Sequence, residues 1–183
     1  MSDALEDSVE RSLARCAVGD SSAFADIVRE HQTMVYSLAL HFLRNQWLAE
    51  ELAQEVFLEL YRNLASIKSG AHLRFWLRKV TCHRSIDLER RWRPEGSVRL
   101  EDLPEPATPP AHDPLLAERL WRLVASLPEK PRMVLILRYQ EDLNLREIAE
   151  VMQMPVNTVK SSLERALTVL RGKLVRSMGE VNV

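Results

Sequence analysis

Six of the nine prolines in this chain fall between residues 94 and 114 (PEGSVRLEDLPEPATPPAHDP). They are Pro94, Pro104, Pro106, Pro109, Pro110 and Pro114, and the acids around them outnumber the bases. Proline lacks an amide donor and biases the residue before it away from helical backbone. No long helix can cross such a stretch, so it reads as an extended linker. The 183 residues are thereby divided into two pieces, each the size of a small domain.

Both pieces read as helical. Glycines are few, five in all, while stretches of Leu, Ala, Glu and Arg, all strong helix formers, are long. The expected fold class is all-α: two small helical domains at residues 10–93 and 115–178 with the 94–114 linker between them, the second a helix-turn-helix domain. A hydrophobic share of 46% and a charged share of 28% suit a globular protein. No window holds the roughly 18 uninterrupted apolar residues of a membrane span, and the acidic start MSDALEDSVERSLARC lacks a secretory pattern. Cys16 and Cys82 are too few and too scattered for a disulfide framework or a zinc site. The expected compartment is the cytoplasm, with no membrane insertion.

In the first piece, Phe24, Ile27, Val28, His31, Val35, Leu38, Ala39 and Phe42 recur at three- and four-residue steps, the stripe of one long amphipathic helix. Ser21 and Ser22 are candidate N-caps. A second helix carries Ala49, Leu52, Ala53, Val56, Leu60 and Leu64 on its buried side. After the polar stretch 66–70, a third is expected to bury Leu73, Trp76, Leu77, Val80 and Leu88.

Charge is distributed unevenly over these helices, although the net charge is only −1. Residues 47–59 hold Glu50, Glu51, Glu55 and Glu59 with no Lys or Arg, and residues 72–93 hold seven Lys and Arg against Asp87 and Glu89. Two faces of opposite sign point to two partners. Glu51, Gln54, Glu55, Leu58 and Arg62 make an outward strip on the second helix, suited to a basic, partly apolar protein. On the third helix Arg78, Lys79, Cys82, His83, Ile86, Arg90 and Arg93 are expected outside the core, interleaved with Phe75, Trp76 and Trp92. Cations beside aromatics suit single-stranded DNA, whose bases stack on rings while its phosphates meet charge.

The second piece reads as four helices, at residues 115–126, 130–139, 145–152 and 156–177. In LNLREIAEVMQMPVNTVKSSLERALTVLRGKL, Ile148, Ala149 and Met152 form a short apolar face. Met154 and Pro155 break it, and Val159, Leu163, Ala166 and Leu170 form the next. A small residue where two short helices cross, then a proline at the turn, builds a helix-turn-helix. Its second helix reads the major groove from its N-terminal end. Asn157, Thr158, Lys160, Ser161, Glu164 and Arg165 lie off the buried stripe and have the donors and acceptors to meet bases or phosphates.

No enzyme chemistry is legible. His31, His41, His72, His83 and His112 lack metal-ligand spacing. No phosphate-binding glycine loop, nucleophile elbow or catalytic carboxylate pair appears. Neither a metal nor another cofactor is expected.

The order of AEELAQEVFLELYRNL, a polar loop, FWLRKVTCHRSIDLERR, a linker, LPEKPRMVLILRY and REIAEVMQMPVNTVKSSLERA resembles the extracytoplasmic-function (ECF) sigma factors of the sigma-70 family. The resemblance implies a sigma factor that binds core RNA polymerase and directs promoter recognition, melting and initiation. Glu51, Gln54, Glu55 and Leu58 would dock on the clamp helices of the largest polymerase subunit. The −10 element would be met by Lys68, Ser69, Gly70 and His72 in the loop and by Arg78, Lys79, His83, Arg90 and Arg91 on the helix. The −35 element would be met by Asn157, Thr158, Lys160, Ser161 and Arg165. Promoter DNA is thus expected both as duplex and as single strand, and an anti-sigma factor as a further partner. The sequence departs from the family at His83, where asparagine is frequent, at Gln153 and Asn157, where glycine is common, and at Ser162 and Leu167, where arginine is common. The alternatives are a conventional helix-turn-helix regulator that does not bind polymerase as a sigma subunit, and a helical adaptor without DNA binding.

Overall fold

The computed structural model describes residues 2–17, 19–92 and 114–179, which hold eight α-helices and the turns between them. The expected linker, apart from Pro114, and the expected surface residue Arg93 lie outside the described residues. The chain divides into two compact units, Met1–Asp87 and Leu88–Val183.

The first unit is built from α1 (Ser2–Ala17), α2 (Ser21–Leu43), α3 (Gln46–Asn63) and most of α4 (Gly70–Trp92). Helix α1 has no counterpart among the helices expected from sequence. Its described core residues are Val9 and Ser12, both buried, and the helical step Leu5, Val9, Leu13 and Cys16 that accompanies them stands in the sequence itself. Helix α2 follows the expected stripe, with Ile27, His31, Val35, Leu38, Ala39 and Phe42 buried. Phe24 and Val28 are only half-buried because they line a groove against α3. The N-cap is Asp20, not Ser21 or Ser22. Its Oδ1 accepts from the Ser22 amide at 2.9 Å, and a carboxylate adds charge attraction to the helix N-terminus that a hydroxyl lacks.

Helix α3 is capped by Asn45, whose side chain accepts from the Leu48 amide at 3.0 Å. It buries Leu52, Val56 and Leu60 as expected. Helix α4 departs more. Leu73, Leu77, Thr81 and Ser85 form its buried line, together with Cys82 and Ile86. Spacing alone puts Cys82 and Ile86 on the outer surface, and the structure corrects this, leaving Trp76, Val80 and Leu88 only half-buried. Thr81 returns its hydroxyl to Leu77 O at 2.7 Å, so it enters the core without an unmet donor.

The second unit holds α5 (Pro114–Ala125), α6 (Glu129–Tyr139), α7 (Leu145–Met152) and α8 (Val156–Gly179), each within two residues of its expected limits. Val124, Leu127, Leu135, Ala166 and Leu170 form a buried cluster, with Trp121, Leu123 and Leu167 packed against it. Helix α6 buries Met133, Val134, Leu135, Ile136 and Leu137 in succession, which places it in the centre of the unit with helices on several sides.

Candidate polymerase and DNA interfaces

The outer side of α3 is acidic with apolar insertions. Glu50, Glu51, Gln54, Glu55 and Leu58 are all exposed, and Leu58 keeps 57% of its surface in water. The structure therefore brings together the four residues expected to meet polymerase. It adds a feature that periodicity did not reveal: a groove of about 850 Å³ between α2 and α3, lined by Phe24, Val28, Tyr36, Phe57, Leu58 and Tyr61 among others. Phe24 and Tyr61 meet edge to face across it, ring centroids 5.1 Å apart at 74°, the arrangement that opposes the positive edge of one ring to the negative face of the other. An exposed apolar strip rimmed by carboxylates is the composition of a protein interface.

The loop before α4 is held in place by its own side chains. Ser69 Oγ accepts the His72 amide at 3.1 Å, and the Lys68 amide donates to His72 Nδ1 at 3.2 Å. Ser69 and His72 thus each satisfy one backbone donor around the start of α4. Lys68 is exposed, Ser69 and His72 half-buried, and Gly70 buried. Along α4, Arg78, Lys79 and His83 are half-buried, while Arg90 and Arg91 lie on the last turn. Trp92, next to Arg91 at the end of the helix, is 61% exposed. Arg84 faces α3, donating from Nε to Glu59 Oε2 at 2.8 Å and from Nη1 to Glu55 Oε2 at 3.0 Å.

In the second unit α7, the turn and α8 form the helix-turn-helix. Asn144 caps α7, and Gln153 closes it in the left-handed region at φ 52°. The Gln153 amide reaches Glu150 O at 3.3 Å and the Met154 amide reaches Ala149 O at 2.9 Å, the paired bonds of a Schellman motif. Asn157, Thr158 and Lys160 are exposed on the first turns of α8, where a recognition helix presents its reading residues. Arg165 lies back on its own helix, Nε to Ser161 O at 3.1 Å and Nη2 to Ser161 Oγ at 3.2 Å. Ser162 is buried, and Leu167 packs on the core cluster. These two substitutions therefore belong to the interior, and the outer face of α8 is unaffected by the lack of arginine there.

Among the described residues no group of three His, Cys, Asp or Glu could hold a metal, and no described helix is long and apolar enough to cross a membrane.

Comparison with known proteins gives a family for each unit. The model of Sigma-70 region 2 matches residues 11–94, and that of Sigma-70, region 4, matches residues 117–170. The chain is 29% identical to the ECF RNA polymerase sigma factor SigW of Bacillus subtilis, covering 93% of this chain and 98% of the relative. It is 30% identical to the ECF RNA polymerase sigma-E factor of Escherichia coli, covering 95% and 97%. In fold it is similar to CnrH, solved with the cytosolic domain of CnrY, at a TM-score of 0.69 and 20% identity over 92% of this chain and 98% of that one. It is also similar to the sigma factor RpoE of Bartonella quintana, solved with the anti-sigma factor NepR, at 0.67 and 18% over 82% and 96%. With a region 2 match preceding a region 4 match, and relatives aligned over nearly their whole length, this chain belongs to the ECF sigma factors of the sigma-70 family.

Proposed function

We propose that this chain acts as a dissociable specificity subunit: it binds core RNA polymerase and directs promoter recognition, melting and transcription initiation. The carrying observation is that one polypeptide presents an acidic-apolar face on α3, a basic-aromatic helix α4 and a helix-turn-helix. A conventional helix-turn-helix regulator needs only the last of these.

In this reading residues 10–93 form the polymerase-binding and −10-melting domain, 94–114 the linker, and 115–178 the −35-reading domain. Glu51, Gln54, Glu55 and Leu58 meet the clamp helices of the largest polymerase subunit, with Tyr61 and the groove behind them as further contact area. Lys68, Ser69, Gly70 and His72, followed by Arg78, Lys79, His83, Arg90 and Arg91, receive the opened −10 strand. Asn157, Thr158, Lys160, Ser161 and Arg165 read the −35 duplex. The two solved neighbours were captured with CnrY and with an anti-sigma factor, and an anti-sigma factor is the inhibitory partner proposed for this chain. The family is not a class of enzymes, and the reading assigns the chain no catalysis and no cofactor. It works in the cytoplasm, where the polymerase is.

The mechanism is differential binding. Each well-placed base contact supplies about 1–3 kcal/mol of discrimination. A trapped, unstacked base offsets the few kcal/mol needed to extrude it, so melting follows from binding. The test is run-off transcription: core polymerase with this chain should initiate at discrete sites on a genomic fragment library, and core alone should not. Failure of the core enzyme either to retain the chain or to gain start-site selection would overturn the reading.

A further inference from the structure

We propose that Arg84 is a positioning residue for the polymerase-binding face of α3, acting through Glu55. The proposal rests on the docking role given to Glu55 above.

Arg84 lies on α4, in the middle of the helix assigned to the −10 strand, yet its guanidinium is engaged on α3. Three of its nitrogens meet two carboxylates. Nη1 binds Glu55 at 3.0 Å, Nε binds Glu59 at 2.8 Å, and Nη2 also binds Glu59. A planar fork held by a side chain 43% exposed is too solvated to add much to folding stability. What it does supply is order. Glu55 and Glu59 are one turn apart on α3, and without a shared cation they would repel and sample separate rotamers. With Arg84 between them the three groups carry one net negative charge in fixed positions. A basic partner then meets an acid already oriented, and the entropy of ordering that side chain is not lost on binding. The alternative role, a cation that competes with the partner for Glu55, predicts the opposite sign.

The test is the affinity of the full-length protein for core polymerase. Arg84→Ala should weaken binding roughly three- to tenfold, the cost of ordering a freed long side chain. Arg84→Lys, which keeps charge but not the fork, should recover part of the loss. In a Glu55→Ala background Arg84→Ala should have no further effect. A merely structural ion pair would lower the melting temperature and leave the affinity for core polymerase unchanged. Unchanged or tighter binding by Arg84→Ala, or an equal loss in the Glu55→Ala background, overturns the proposal. Charge reversal of Glu51 and Glu55 together separates it from the reading beneath it. If that double variant binds core normally, the polymerase face itself is misplaced and the role of Arg84 falls with it.

Discussion

Asn144 and Glu147 cap α7 reciprocally: the Asn144 side chain accepts the Glu147 amide at 3.1 Å, and Glu147 Oε2 accepts the Asn144 amide at 2.7 Å. The same Asn144 oxygen takes the Arg146 amide at 2.9 Å. Helix α7 has only eight residues, too short to persist without such help. Asn144→Ala should cost about 1 kcal/mol of local stability. Faster hydrogen exchange at the Ile148 amide, by roughly fivefold, would register it; an unchanged rate would show that packing alone holds the helix.

Gln153 occupies left-handed backbone, φ 52° and ψ 46°, where a Cβ is crowded by the following carbonyl. Gln153→Gly should therefore stabilise the second unit by about 0.5–1 kcal/mol, the strain relieved exceeding the extra entropy of an unfolded glycine. The urea midpoint of that unit should rise. A fall would mean that the exposed glutamine side chain contributes more than its backbone strain costs.

His31 is buried in α2, its Nε2 without a hydrogen-bond partner. Burial, and then the charges of Arg74 and Arg78, push its imidazole down to about 4. The unfolded chain takes up that proton near pH 6.5. Stability from neutral His31 is thus complete above about pH 6.5 and is lost as pH falls towards 4, by up to about 3 kcal/mol. His31→Leu should flatten this part of the pH–stability profile. Identical slopes in both proteins would assign the acid sensitivity elsewhere.

Lys160 and Arg165 carry positive charge on the outer face of α8. Replacing both with Ala should weaken binding of the polymerase-bound protein to its −35 sequence by about 1–3 kcal/mol for each base that is no longer read. Binding to a scrambled −35 site should change much less. Equal weakening on both templates would make these residues phosphate-binding groups that position the helix without reading it.

The sequence was most legible where a side chain's nature is enough to place it. The limits of α6, α7 and α8 fall within two residues of expectation, because proline, asparagine and the apolar step mark them in the chain itself. The acidic strip of α3 is exposed as its spacing implies, since large aliphatics at Leu52, Val56 and Leu60 leave only one buried side. Legibility failed on α4. There Thr81, Cys82 and Ser85 are buried while Trp76 and Val80 stay half-buried, because a helix's rotation is set by the surface it packs against, which its own period does not record. Helix α1 carries its own helical step, Leu5, Val9, Leu13 and Cys16, but the acids and bases between them make it read as a charged terminus.

What the amino-acid order decided alone is the number of units, their helical nature, the helix-turn-helix and the sign of charge on each face, since all of these follow from local backbone preference and period. Only the tertiary structure decided which carboxylates meet Arg84. Arg84 is turned onto Glu55 and Glu59 by the way α4 packs, a pairing that its place in the chain does not announce. A helix's rotation depends on how it packs against its neighbours, and no local pattern in a single strand of sequence encodes that.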